Sequence, residues 1–444
     1  MADAVFKPGI AEQLAAVWDT GPAVLRGALT APLFSSREYL TGILGTARDF
    51  AADPKNRFGR VFVRGEVVTP EQLPAFLPSG PSEDIEEYVG RVARAHDDFA
   101  VILNACERYI PAIRATFVPL LHGLFSRVGY PVQSSLACIY SGTYQTSPFG
   151  IHTDPCHVLM SCGLGSKTMA FWPRSHFDSM KSSFYDNKVP ARVADHLAAA
   201  TVMQISPGDL LYWPANTWHV GISETLDFHA SVSLGLYHRA SRNGLFLSQD
   251  FMPTRPFALP QVEQYDSLDL TGLGPSLLSR GSLSIDDVRA APLGGFLEIW
   301  HRVAAELNKA EEAEYRALKT VLMSLSSAGF GPPRASVDAR LPVDTVLEDA
   351  VLQCEIPESL IAARVRGGLL VGANGHLFFH PAHVTELEQV LAALRAGEAQ
   401  SHDAMVASAR SAGRAVADLL SDLVSAGAVS CAHVARPHGQ MVVS

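Results

Sequence analysis

No two of the six cysteines stand at C-x-x-C spacing: Cys106, Cys138, Cys156, Cys162, Cys354 and Cys431 are scattered along the chain. The usual signature of a structural zinc site is therefore missing, and in a reducing compartment these residues are expected to be free thiols. No uncharged apolar run is long enough to cross a bilayer, and the opening MADAVFKPGIAEQLAAVWD lacks the apolar core of a signal peptide. The expectation is a cytoplasmic protein without a membrane partner. Basic residues are scarce: 35 Lys and Arg face 45 Asp and Glu, a formal net charge of −10. That balance argues against a protein that coats nucleic acid. The shortage is sharpest over residues 341–444, with six arginines, no lysine and eleven acids, a net of −5. A surface of that sign repels phosphate, so no nucleic-acid partner is expected even if this part folds like a DNA-binding module. Internal repeats and low-complexity tracts are absent.

What is present is an ordinary globular composition, 48% hydrophobic and 18% charged over 444 residues, enough for two or three domains. AEQLAAVWD and REYLTGIL carry apolar residues at helical spacing, and RVFVRGEVV alternates like a strand. Residues 81–96 read as a helix opened by Pro-Ser and acids, and 107–128 as one or two helices with Pro111 and Pro119 at starts or kinks. From Ser134 to Tyr237 the signal changes to short strands: SSLACIY, FGIHTDPCHVLMSC, KTMAFW, ATVMQIS, DLLYWP, HVGIS and FHASVSLGLY. Gly, Pro, Asn and Asp separate them, as in a barrel or double-sheet jelly roll. Residues 180–200 interrupt this pattern as an insertion or helix. Residues 250–285 are loop-like, and 294–327 read as strong amphipathic helices. Beyond Pro332-Pro333, helices are expected at 344–352, 357–365, 381–396 and 405–426. LLVGANGHLFF forms a hairpin signal whose Asn374-Gly375 suits a tight turn.

The chemistry concentrates in His152-Thr153-Asp154. In an extended strand residues i and i+2 share a face, so both side chains reach one ion. A later segment, PGDLLYWPANTWHVGIS, turns into an apolar strand and presents His219. Each feature alone also fits a polar strand or a surface histidine. Together, two imidazoles and one carboxylate on one side of an ion leave the other side open, which suits non-heme Fe(II). Lys167, expected on a strand antiparallel to the His152 strand, would normally face solvent. Pointed inward it needs an anion, because a buried unpaired ammonium is costly. Tyr140 is placed to donate its hydroxyl to the same anion. Cys156 is expected to share the face of His152 and Asp154, and His157 to point away. His176, His229 and His238 lie near the barrel, where core or surface roles outweigh that of hydrogen-bond partners to the metal ligands. The spacing of His376, His380 and His383 suits a metal, but an exposed hairpin flank is the preferred reading.

His152-Thr153-Asp154, Lys167 fifteen residues after His152, Tyr140 twelve before it, PGDLLYWPANTWHVG with His219, and the closing SVSLGL resemble the JmjC branch of the cupin-fold oxygenases. The similarity is greatest to the ribosomal-oxygenase group of protein hydroxylases. Upstream, GPAVLRGAL resembles that group's lead-in to the barrel, and the helices and hairpin downstream resemble its dimerisation helices and winged-helix-like domain. The resemblance implies a mainly β catalytic core, a double-stranded β-helix or cupin jelly roll with flanking helices. A helical segment and a winged-helix-like C-terminal domain follow. Its parts would be an oxygenase domain at 1–250, a helical linker and dimerisation region at 251–335, and the C-terminal domain at 336–444.

By the same resemblance His152, Asp154 and His219 hold Fe(II). 2-Oxoglutarate chelates the metal and gives its far carboxylate to Lys167 and Tyr140, and dioxygen takes the remaining position. The products are succinate, carbon dioxide and a hydroxylated protein or peptide side chain, and the chain is a homodimer. Where the group often carries an asparagine two residues before the tyrosine, this chain has Cys138, so Ser231 or Ser233 is expected to offer a hydroxyl instead. Other readings are the same chemistry on a small molecule or biosynthetic peptide, demethylation through an N-methyl hydroxylation, and a non-catalytic metal and 2-oxoglutarate sensor.

Overall fold

The computed structural model describes residues 5–52, 59–80, 82–129, 135–180, 187–223, 226–237, 282–283, 318–319, 321–323, 325–330, 347, 349–365 and 367–433. Contacts divide the chain into two compact units, Met1–Leu268 and Asp269–Ser444.

The first unit holds eleven strands among its described residues. They are β1 (Ala23–Leu25), β2 (Gly59–Val63), β3 (Glu66–Val67), β4 (Phe99–Asn104), β5 (Leu136–Gly142), β6 (His157–Leu164), β7 (Lys167–Trp172), β8 (Thr201–Ile205), β9 (Leu210–Trp213), β10 (Trp218–Ile222) and β11 (His229–Leu236). A large sheet runs β1-β9-β6-β11-β5-β4-β2-β3 and a small one β10-β7-β8, with every pair antiparallel. Chain neighbours β6 and β7 lie in different sheets, as do β9 and β10. This alternation winds the chain into a double-stranded β-helix. Val158, Met160, Leu211 and Trp213 from the large sheet meet Met169, Phe171 and Ile205 from the small one in a shared core.

Helices α1 (Ile10–Val17), α2 (Ser36–Ala52), α3 (Ile85–Ala95) and α4 (Pro111–Val128) flank the sheets. Asp84, rather than the Pro-Ser pair read from the sequence, caps α3. Its carboxylate accepts from the Glu87 N–H at 2.8 Å and the Glu87 side chain accepts from the Asp84 N–H at 3.3 Å, a reciprocal capping box. Pro111 opens α4, where its missing N–H costs nothing, and Pro119 lies within the same helix. Because β6 is buried on both faces, Val158, Leu159 and Met160 follow one another without a polar residue between them. Its outward face carries Gly163, and the buried ring of Phe34 lies against it: a Cβ added there would stand 2.3 Å from Phe34 Cζ.

Asp209 immediately precedes β9 and also anchors the lead-in segment. Its carboxylate accepts from Arg26 at 2.6 Å and from the Gly27 N–H at 2.9 Å, while β1 pairs with β9. The Pro-Gly-Asp turn thus closes the barrel wall and seats its upstream cover.

The second unit has a sheet β12-β14-β15-β16, from Ser282–Leu283, Leu360–Val365, Gly368–Ala373 and His376–His380, and a sheet β17-β13-β18, from Gln400–Ser401, Ala350–Gln353 and Ser430–His433. Helices α5 (Val384–Arg395), α6 (His402–Ser408) and α7 (Gly413–Ser425) pack Leu387, Leu394, Leu419 and Leu423 into one core with Leu352, Leu369 and Val371. The expected hairpin is β15–β16, with Asn374 and Gly375 at φ 48° and 84° as a two-residue turn requires. The helices expected at 344–352 and 357–365 are corrected: Ala350–Gln353 and Leu360–Val365 are strands. The alanines and leucines of LIAARV favour a helix locally, but full antiparallel pairing with β15 outweighs propensity. The helical signal at 294–327 lies outside the described residues apart from fragments after 317, as does most of 251–335. No helix among the described residues is long and apolar enough to cross a membrane.

Gly163→Val is expected to lower stability by about 1–3 kcal/mol, because neither Phe34 nor the β6 backbone has room to move. Thermal unfolding of the variant checks this, and an unchanged midpoint would remove Phe34 as a constraint on the barrel.

Candidate metal centre

The His152 segment is not the regular strand expected from the sequence. It touches β10 at two bridges, Thr146↔Ile222 and His152↔His219. Six residue steps from 146 to 152 therefore oppose three from 222 to 219. The surplus forms a turn over Ser147–Gly150, closed by the Gly150 N–H on the Ser147 carbonyl at 2.9 Å with Gly150 at φ 66°. Beyond the turn the chain rejoins β10. His152 and His219 exchange both backbone hydrogen bonds, at 3.1 and 2.9 Å. Residues directly opposite in an antiparallel pair point to the same face, so the two imidazoles meet with ring centroids 4.4 Å apart. Asp154 is fixed by its carbonyl, which accepts from the Asn216 N–H at 2.7 Å.

The three side chains converge. Asp154 Oδ2 is 3.4 Å from His219 Nε2 and 3.9 Å from His152 Nε2, and one ligand atom from each residue lies within 4.8 Å of the others. Each histidine turns Nδ1 to a backbone carbonyl two residues earlier, Gly150 for His152 and Thr217 for His219, both at 2.9 Å. A carbonyl accepts only, so Nδ1 carries the proton and Nε2 offers a lone pair. Burial pushes His152 down to about 4, and the facing His219 adds to it. Burial alone would raise the Asp154 carboxyl, but the hydrogen bond and charge of His219, and then His152, hold it below its ordinary range. Two ring nitrogens and a carboxylate oxygen thus face one point. A cation fits it: ligand bonds of about 2.1 Å at right angles hold donors about 3 Å apart, slightly closer than these.

The triad lines a cavity of about 110 Å³, room for a few waters or one small organic acid. Tyr140, Tyr144, Lys167 and Ser233 line it too, as do Cys138 and Cys156. Cys156 thus shares the face of His152 and Asp154. His157 points the other way, under a stacked Trp18 with its Nδ1 3.0 Å from the Tyr212 hydroxyl. Ser231 is fully buried and donates to the Tyr140 carbonyl at 3.4 Å. The Cys138 thiol donates to Asn104 Oδ1 at 3.4 Å.

Lys167 is 3% exposed. Its strand pairs with β10 and β8, so β10 separates it from the His152 segment, contrary to the direct pairing expected. Its Nζ lies 2.6 Å from the Tyr144 hydroxyl and 3.0 Å from His229 Nε2. Gly221 on β10 makes room: a Cβ there would stand 2.9 Å from both Cε and Nζ. Desolvation pushes the ammonium down to about 7. Sequence reasoning missed Tyr144, which no spacing rule singles out, and left His229 as a core or surface residue. Its place opposite Gly142 and one step before the bulge at Ala230–Ser231 became visible only with the strand register. His176 lies 3.3 Å from His196 and lines no part of the cavity, and His238 is outside the described residues. His380 faces Asp422 at 3.5 Å. Among the described residues the only cluster of three metal-capable side chains is His152, Asp154 and His219.

A double-stranded β-helix whose cavity joins two imidazoles and a carboxylate to a buried lysine defines a cupin-type barrel. Residues 126–242 match the JmjC domain family model, a span that runs from the end of α4 through β11. No curated protein sequence matches the chain. Among solved structures it is similar to the ribosomal oxygenase YcfD from Escherichia coli in complex with cobalt and succinic acid, at 15% identity and a TM-score of 0.47 over 96% of this chain and 99% of that one. The complex of the same protein with cobalt and 2-oxoglutarate gives 15%, 0.47, 96% and 99%. A further X-ray structure of E. coli YcfD gives 15%, 0.46, 97% and 100%.

Lys167→Met is expected to stabilise the protein free of ligands by on the order of a few kcal/mol at pH 7. The folded-state value near 7 lies below the ordinary value of 10.5, so between them the unfolded chain holds the extra proton. Wild-type stability should rise with pH across that window, and the advantage of the variant should shrink toward pH 10.5. Chemical denaturation at several pH values checks both signs.

Proposed function

We propose that this chain is an Fe(II)- and 2-oxoglutarate-dependent oxygenase that hydroxylates a protein or peptide side chain and releases succinate and carbon dioxide. One observation carries the reading: a single cavity has two imidazoles and a carboxylate in an arrangement suited to a divalent metal, and a buried lysine without a carboxylate partner among the described residues. A keto diacid satisfies both, with its keto and adjacent carboxylate oxygens at the metal and its far carboxylate at Lys167. His152, Asp154 and His219 would hold the metal. When bound with the keto acid and dioxygen, it would supply the oxidising chemistry for hydroxylation of a C–H bond.

The residues of the chain bind, aim and exclude water. Lys167 and Tyr144 supply the charge and the donor at the far end, and Tyr140 and Phe149 cover the metal side, their rings 6.0 Å apart. Phe149 sits on the turn before His152, 5.9 Å from its ring, where an incoming side chain would meet it. The protein-substrate assignment rests on the resemblance of the motifs to ribosomal oxygenases. A homodimer in the cytoplasm, and division into 1–250, 251–335 and a winged-helix-like 336–444, belong to the same proposal.

Purified protein supplied with Fe(II), ascorbate and air is expected to convert 2-oxoglutarate to succinate, and His152→Ala to lower the rate at least a hundredfold. Equal succinate from the variant would defeat the reading, and tight 2-oxoglutarate binding without turnover would make the chain a sensor. Gly221→Ala should weaken 2-oxoglutarate binding about tenfold with little effect on metal affinity, because the new methyl displaces only the lysine end of the cavity. Calorimetric titration of metal and of 2-oxoglutarate separates the two effects. Capture of cellular proteins on Asp154→Ala, followed by a search for a gain of one oxygen on wild-type treatment, tests the class of substrate.

A further inference from the structure

The ammonium of Lys167 is enclosed by groups that carry no negative charge. Tyr144, from the segment after β5, and His229, from β11, are its hydrogen-bond partners. Cys162 of β6 is near enough to influence it, but burial pushes that thiol up to about 12, so it stays neutral. β10 sets Gly221 against it, and on β8 its register partner is Ile205.

The ring of His229 is oriented. One nitrogen faces Lys167, and the ring is also hydrogen-bonded to the backbone of Asp227, an interaction that favours the protonated ring and so marks a carbonyl acceptor. The nitrogen toward Asp227 therefore carries the proton and the one toward Lys167 offers a lone pair. Burial, and then the charge of Lys167, keep the imidazole neutral. It is 2% exposed, and Tyr144 packs edge-on against it at 4.7 Å between ring centroids. An ammonium has three N–H donors. Two are used by Tyr144 and His229, and the third is left for the cavity.

We propose that His229 is a positioning residue: a neutral, backbone-oriented acceptor that holds Lys167 so that the far carboxylate of 2-oxoglutarate is captured together with a proton. The inference rests on the oxygenase reading for the identity of the diacid. In the protein without ligand, Lys167 divides between two forms near neutrality. As an amine it accepts from the Tyr144 O–H and donates to His229. As an ammonium it donates to both and to the incoming carboxylate. Only the second form pairs with the diacid, so binding draws a proton from solvent onto Nζ. No bond other than N–H forms or breaks, and the dianionic ligand gives up no proton.

The sign follows from the direction of the shift. Below about pH 7 the ammonium is already present and binding takes up almost nothing. Uptake grows as the pH rises through that value and approaches one proton above it, where each unit weakens binding about tenfold.

The test is anaerobic calorimetric titration of 2-oxoglutarate into the full-length Mn(II)-loaded protein, in two buffers of different ionisation enthalpy, at pH 6, 7 and 8. Pyruvate, which has the same keto-acid end and no far carboxylate, should bind without proton uptake. His229→Phe keeps the ring and loses the acceptor. It should raise uptake at pH 7 toward a full proton and weaken 2-oxoglutarate at least tenfold, and His229→Gln, whose amide oxygen accepts, should restore most of both. Should 2-oxoglutarate bind with no proton uptake at pH 8, or His229→Phe match the wild type in uptake and affinity, the inference is overturned while the oxygenase reading stands. If 2-oxoglutarate does not bind to the metal-loaded wild type at any pH, both fall.

Discussion

The reciprocal backbone pair between His152 and His219 is the constraint on which the site depends. Two N–H···O bonds at 3.1 and 2.9 Å place the imidazoles side by side before any metal arrives. The residues concerned are 67 positions apart, and three changes of sheet lie between them, from β6 to β7, β8 to β9 and β9 to β10. Barrel closure is therefore what builds the donor set. Side-chain hydrogen bonds then choose which nitrogen each ring presents, and the same arrangement recurs at three histidines. His152, His219 and His229 each bond a ring nitrogen to the backbone two residues earlier, at Gly150, Thr217 and Asp227. Each thereby directs a lone pair inward, two toward the metal position and one toward Lys167.

The cavity combines two costs that a stable protein would ordinarily avoid. At one end three metal-capable side chains crowd together, and at the other an amine is buried without a counter-charge. Both are relieved by one molecule that carries oxygen donors at one end and a carboxylate at the other, together with a cation. Stability is withheld from the empty protein at these positions and returned on binding, which is a common way for a site to be selective. The surrounding framework makes this tolerable. Phe34 on Gly163, Asp209 on the lead-in segment and the doubly buried strand β6 hold the walls while the pocket stays polar.

Much of this was legible in the sequence, for identifiable reasons. Turn residues bracket nearly every strand of the barrel, and His152-Thr153-Asp154 with His219 announces a metal through the types of its side chains alone. The helix at 85–95 and the Asn-Gly hairpin are local signals, and local signals survive folding. What was not legible depends on register. That β10 lies between Lys167 and the His152 segment, that Ser147–Gly150 loops out of the sheet, and that Tyr144 and His229 enclose Lys167 all follow from which residue opposes which. LIAARV misleads for a related reason, since its alanines favour a helix until a partner strand is present.

The far side of the His152 segment is held by a part of the chain that the barrel itself does not require. Thr153 donates to the Asn187 carbonyl at 2.8 Å, Val189 donates to the Ile151 carbonyl at 3.2 Å, and His152 bridges Lys188. The stretch after β7, which interrupts the succession of strands, thus acts as a splint along the metal-binding backbone. Shortening it to a minimal barrel would leave every ligand in the sequence and remove the brace that keeps one of them in place, so in this protein the insertion belongs to the coordination chemistry as much as to the surface.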